Sequence, residues 1–156
     1  QLLTEKDPKA ATMLEPWILP LLLGGIAALL QLFAMGALLL ARSWQAKMFN
    51  PGEFGKEFQA LRLPHWYAVV AIVVFFVGIA SSLMASWIPV VLAPRFVMGV
   101  SLIHGIVAKK QLSSQWIMTF YISLLFFLPY MYALLILVAL LDILIDFRAR
   151  LKDTAN

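Results

Sequence analysis

Three ionisable side chains lie in or beside apolar sequence and could do chemistry there. His104 lies within the apolar run Phe96–Ala108. Ser101, His104, Gly105 and Ala108 recur at i, i+3, i+4 and i+7, which places them on one helix face. The structural reading of His104 is a neutral ring hydrogen-bonded across a helix seam. The functional reading is a proton relay or a ligand contact. One histidine with no second ligand at helical spacing is not a metal site, so no metal is expected. Asp142 lies one turn before Asp146 and close to Arg148 and Arg150. It reads as a helix-end carboxylate with a basic neighbour, as a buried partner for Arg95 or His104, or as a binding-site carboxylate. Arg95 follows Pro94 between two apolar segments. An arginine at the centre of a bilayer costs about 2.5–3.5 kcal/mol, so Arg95 is expected at a membrane face, ending a turn. His104, Asp142, Ser101 and Arg95 are therefore the candidate polar contacts at membrane depth.

Catalysis is not expected. The chain has no cysteine, which excludes disulfides, thiolate metal sites and a cysteine nucleophile. Its serines have no base nearby in sequence, and there is no phosphate loop, paired-carboxylate motif or HExxH. Neither an enzyme nor a cofactor is read from the sequence.

The elements that must position these residues are long and apolar. Hydrophobic residues make up 63% of the 156 residues and charged residues 13%. A soluble domain carries about twice that charge. Trp17–Ala41, Trp66–Ala93 and Gln111–Leu141 each exceed the roughly 20 residues that cross a hydrocarbon layer about 30 Å thick. They are apolar all round, not on one stripe. Phe96–Ala108 would make only about 20 Å of helix. It crosses if it borrows Val90–Ala93, and is otherwise a re-entrant segment covered by protein. Pro129 should kink the last run, which Ser113 and Ser114 can cap. The expected fold is all-α: a polytopic transmembrane helix bundle with segments over 17–41, 66–88, 90–108 and 113–145. An extramembrane lead-in, 1–16, precedes it and a polar basic tail, 146–156, follows.

Arg42–His65 is the one long loop. Within it Phe54, Phe58 and Leu61 recur at i, i+4 and i+7 between charges, which predicts an amphipathic helix over 53–63 lying in the interface and ended by Pro64. Phe54, Phe58, Leu61 and Arg62 either pack on the membrane or dock a partner. Small residues predict close helix packing at Gly24 and Ala28, and along Gly78, Ser82 and Ser86. The net charge of +4 is spread over loops and tail, with no dense basic run, so nucleic acid is not a partner. Orientation is tied. Arg42, Lys47, Lys56, Arg62, Lys109 and Lys110 fall on one side, and Lys6, Lys9, Arg95, Arg148, Arg150 and Lys152 on the other.

Asn50-Pro51-Gly52-Glu53-Phe54 with Glu57-Phe58 and Leu61-Arg62-Leu63-Pro64 resembles the central loop of the YybS-like predicted membrane proteins. Gly99-x-Ser101-x-x-His104 and Leu140-Leu141-Asp142-x-x-x-Asp146-Phe147-Arg148 are similar to further patches of that family. The resemblance covers roughly residues 30–150. It implies a bacterial, multi-pass protein of the inner membrane. Members are about twice as long, which implies that this chain is a C-terminal half. The family also looks distantly like the substrate-capturing subunits of energy-coupling-factor vitamin transporters, a likeness of fold only.

Two functions fit. One is a small-molecule-binding transport subunit with His104 and Asp142 lining its cavity. The other is a non-transporting scaffold or accessory subunit, partnered by other membrane subunits or by a second copy of itself. A ligand cavity lined by His104 favours the first, and a helix-filled interior the second.

Overall fold

The computed structural model describes residues 8–145, and every regular element among them is helical. Six helices follow one another: α1 Pro8–Phe49, α2 Glu53–Gln59, α3 His65–Ala80, α4 Trp87–Lys109, α5 Ser114–Phe126 and α6 Leu128–Ile145. Two are long and apolar enough to cross a membrane, Pro16–Phe49 within α1 and Trp87–Lys109. His65–Ala80, Ser114–Phe126 and Leu128–Asp142 are apolar but shorter.

The boundaries differ from the sequence expectation where local backbone rules compete. Helix α1 takes in the second half of the expected lead-in and the first eight residues of the expected loop, Arg42–Phe49. No glycine or proline interrupts 37–49, so nothing stops the helix before Asn50-Pro51-Gly52. Gly52, at φ 93°, makes that turn. Helix α2 ends at Gln59 instead of Leu63, and Pro64 keeps Leu63, the residue before it, out of helical geometry.

Two larger corrections fall between α3 and α4. The second apolar run is not one helix. It breaks after Ala80 into tight turns over 81–86, so Ser82 and Ser86 do not continue a helix stripe from Gly78. Pro94 does not break the chain. It sits inside α4, and the Tyr67 hydroxyl donates to the Val91 carbonyl at 3.0 Å in the turn that the proline loosens. The short third run thereby borrows its upstream residues, and α4 reaches 23 residues, about 35 Å.

Pro129 acts as expected. The chain bends at Phe127, and α6 starts with the proline in its first turn. Ser113 holds the N-cap position of α5 with extended backbone but makes no side-chain cap bond. Lys109 closes α4, and Gln111 adopts φ 50° while Leu112 N–H bonds the Val107 carbonyl, the wrap that ends a helix with a left-handed residue.

The chain divides into two compact units. One holds α1 as far as Met35 with Trp66–Ala93; the other holds Gly36–His65 and the chain from Pro94 on. In the first, Gly24 packs on Ser86: a Cβ there would lie 2.1 Å from the Ser86 carbonyl oxygen. Gly78 packs on Ile88, where a Cβ would meet Cγ1 at 2.6 Å. In the second, Gly99 of α4 packs on α6, where a Cβ would lie 2.5 Å from the Leu135 carbonyl oxygen. Phe96 stacks on Tyr132 beside that contact, with centroids 5.2 Å apart.

Candidate functional site

The polar side chains of the second unit converge on α2. Its first-to-last turn is amphipathic as the spacing predicts: Phe54 and Phe58 are half-buried and their rings stack at 5.9 Å, while Glu53, Lys56 and Glu57 are exposed. Two walls hold it. On the α1 side, Arg42 grips Glu57 through both carboxylate oxygens, with Nε donating to Oε2 at 2.8 Å and Nη2 to Oε1. Nη1 of the same guanidinium donates to Gln45 at 2.9 Å. The two-pronged match suits a planar fork. The hydrogen bonds from Arg42 hold the Glu57 carboxyl below the usual glutamate range.

The α4 wall is the face formed by Ser101, His104 and Gly105. Ser101 is fully buried and donates to the Phe58 carbonyl at 2.6 Å. That carbonyl lies in the last turn of α2, where it also accepts from the Leu61 N–H at 3.2 Å. Gly105 lies against Gln59: a Cβ would sit 3.5 Å from its carbonyl oxygen, so a side chain longer than alanine's would push α2 away.

His104 fills the corner between α2, α4 and α5. Its Nδ1 lies 3.0 Å from the Val100 carbonyl, and its Nε2 lies 3.4 Å from the Tyr121 hydroxyl. A carbonyl only accepts, so Nδ1 carries the proton; in the neutral ring Nε2 then accepts from Tyr121. The ring meets Phe58 edge-on at 5.4 Å and Tyr121 at 5.7 Å. His104 is thus packed between aromatic rings, with both nitrogens engaged.

The remaining candidates fall on packing surfaces. Arg95 is not at a chain turn. It is 1% exposed in the interior of α4, one turn before Gly99. The expectation erred because it took Pro94 for a break. Asp142 is half-buried and continues the α6 stripe of Leu135 and Ala139, which are buried. Leu61 is half-buried and Arg62 exposed, just beyond α2. Among the described residues no three His, Asp or Glu side chains gather as a metal set.

One groove lies away from these residues. In the first unit an open groove of about 550 Å³ is lined by Leu19, Leu23, Gly24, Leu83, Trp87 and Val90, among others, and Ser86 is its one polar side chain. Ala28 is buried and Ser82 half-buried in the same unit. No family model, curated protein or solved structure matches this chain.

Sequence reasoning found both halves of the α2 site, the Phe54/Phe58/Leu61 spacing and the Ser101/His104/Gly105 face, but not that they meet. It missed Arg42–Glu57. The signal for that pair was a lone arginine ending a charge-free run, with an acidic helix 15 residues on.

Proposed function

We propose that the chain is a multi-pass protein of the bacterial inner membrane, of the YybS-like kind, that serves as a non-catalytic scaffold or accessory subunit of a membrane complex. Four apolar segments cross the bilayer in this reading: α1, α3 with its following turns, α4, and α5 joined to α6. Helix α2 lies at one face. The observation that carries it is the exposure of α1. Its most apolar window is only 11% buried, and Leu22, Leu29, Phe33 and Leu38 stand more than half exposed. A water-soluble protein rarely shows so large a continuous apolar surface. Lipid and the helices of other subunits are the surroundings that suit it.

The accessory role is supported by how the polar residues are used. Ser101 and His104 are engaged in holding α2 in place. The groove beside Gly24 supports the rival role, a transport subunit, for an apolar ligand only, because its lining offers one hydroxyl and no charge.

The membrane reading is tested by cysteine labelling on this cysteine-free chain. Met48 and Leu125 are 79% and 75% exposed in the molecule, so protein covers them equally little. With a membrane-impermeant maleimide on vesicles opened at both faces, Met48→Cys should react at least tenfold faster than Leu125→Cys. Equal rates would show that water reaches both, and would end the reading.

A further inference from the structure

Of the four tyrosines in the chain, three are used by it. Tyr67 donates to the Val91 carbonyl, Tyr121 meets His104, and Tyr132 stacks on Phe96. Tyr130 is 78% exposed and makes no hydrogen bond or ring contact among the described residues. Its depth is set by its neighbours on α6. Leu135 lies against Gly99, the middle of α4, twelve residues after Trp87 and ten before Lys109. Five residues of helix separate Tyr130 from Leu135, so it stands within about 7.5 Å of that level. Half of a hydrocarbon layer is about 15 Å, which leaves the phenol inside it. A hydroxyl without an acceptor is costly there.

The backbone one turn away has the opposite deficit. Helix α5 ends at Phe126 and α6 begins at Leu128. Across the break, the Phe127 N–H donates to the Ser123 carbonyl and the Met131 N–H to the Phe127 carbonyl, each at 2.9 Å. Pro129 has no N–H, so the Leu125 carbonyl loses the donor that a continuous helix supplies. Prolines in membrane helices are tolerated where a neighbouring group makes good that loss. Here the surroundings are open: Leu125, Phe126, Phe127 and Leu128 are all exposed. The same outward face continues through Ala133 and Leu137, also exposed, and Ala133 lets another backbone come close.

We propose that this face is the seam of a symmetric dimer, in which Tyr130 of each copy donates to the freed Leu125 carbonyl of the other. The dimer rests on the membrane reading above. Complementarity selects the occupant. One turn holds a donor in need of an acceptor and an acceptor in need of a donor, and a second copy supplies both through the same two groups, as a two-fold contact requires. Lipid tails supply neither. Direction also fits. Side chains on a helix lean toward its N-terminus, so the Tyr130 hydroxyl reaches back toward the level of Leu125, whose carbonyl points forward along the chain.

Association is measured on the full chain in phosphatidylcholine liposomes, labelled at Met48→Cys, by energy transfer across a lipid dilution series. The native chain should dimerise. Each interhelical bond is worth roughly threefold and the seam makes two, so Tyr130→Phe should weaken the dimer about tenfold. Pro129→Ala restores the missing N–H and should abolish most of that difference. In native membranes, copper-phenanthroline oxidation should couple Ala133→Cys and Leu137→Cys into a species of twice the chain's mass, and leave Phe76→Cys, exposed on α3, uncoupled. A chain that stays monomeric at every dilution, an unchanged dimer in Tyr130→Phe, or a full tenfold loss persisting in the Pro129→Ala background would each overturn the dimer. So would coupling of positions 133 and 137 to a different polypeptide, which would place another subunit on the seam. If Pro129→Ala does not fold, the cysteine pattern decides. Alkaline extraction of membranes separates the two levels: release of the chain sinks the membrane reading itself, whereas a retained but monomeric chain sinks only the dimer.

Discussion

At the scale of single residues, small side chains in this molecule have unequal meaning. Gly24 and Gly99 each face a backbone carbonyl that cannot give way, at 2.1 and 2.5 Å from where a Cβ would stand. Gly25 has nothing within 4 Å. Gly24→Ala and Gly99→Ala should each lower the detergent unfolding midpoint by several degrees, while Gly25→Ala should hold or raise it, since alanine is favoured over glycine in a helix by about 0.5–1 kcal/mol. A uniform response of the three would show that these contacts carry no packing weight. Ser101 is the other decisive residue. Ser101→Ala removes one of the two donors to the Phe58 carbonyl, which keeps the Leu61 N–H, so the cost should be that of one hydrogen bond, about 0.5–1.5 kcal/mol. Amide exchange over Glu53–Gln59 should speed up in the variant with α4 unchanged. Unaltered exchange there would mean that α2 is held without this bond.

Among the elements, α2 is the one whose attachment is mostly polar. Seven residues cannot hold a helix by themselves in water. Its docking depends on Ser101, on the rings of Phe58 and His104, and on the Arg42–Glu57 pair. That pair gives the docking a pH dependence. The Glu57 carboxyl is held below its ordinary range, chiefly by hydrogen bonds from Arg42. A lowered carboxyl pKa stabilises the docked state above the undocked value, and the gain is lost as pH falls through the docked value. Exchange or proteolysis at Asn50–Leu63 should therefore be constant above the glutamate range and rise below it. Glu57→Gln should flatten that rise. An identical acid response in the variant would assign the effect to another group.

At the scale of the whole molecule, the free face of α1 decides what the protein meets. Ile18, Leu22 and Leu29 are exposed at i, i+4 and i+11 along one side, with the open Gly25 between them. Photoactivatable cross-linkers on cysteines at 18, 22 and 29 in native membranes should capture one polypeptide, and capture should fall off at Leu23 and Leu30, a quarter-turn or more from the middle of that stripe. Cross-linking to lipid alone at every position would leave α1 without a protein partner and remove the accessory role.

The sequence by itself determined the solvent-facing chemistry of this chain. Charge-free runs longer than a bilayer is thick, the amphipathic spacing of Phe54, Phe58 and Leu61, and the shared face of Ser101, His104 and Gly105 are all local properties that the order of residues fixes. A bend at Pro129 is equally local, because a proline removes one amide wherever it stands. The tertiary structure alone decided which faces meet. It kept Pro94 inside α4, where other elements cover the loosened turn, and so placed Arg95 in the interior and not at a turn. It ended α3 at Ala80, where two small hydroxyl residues, Ser81 and Ser82, follow but no charge, glycine or proline interrupts the run. It joined Ser101 to a carbonyl 43 residues away and Arg42 to a glutamate 15 residues on. Such pairings depend on the direction in which each helix leaves its turn, and residue spacing within one helix carries no record of that direction.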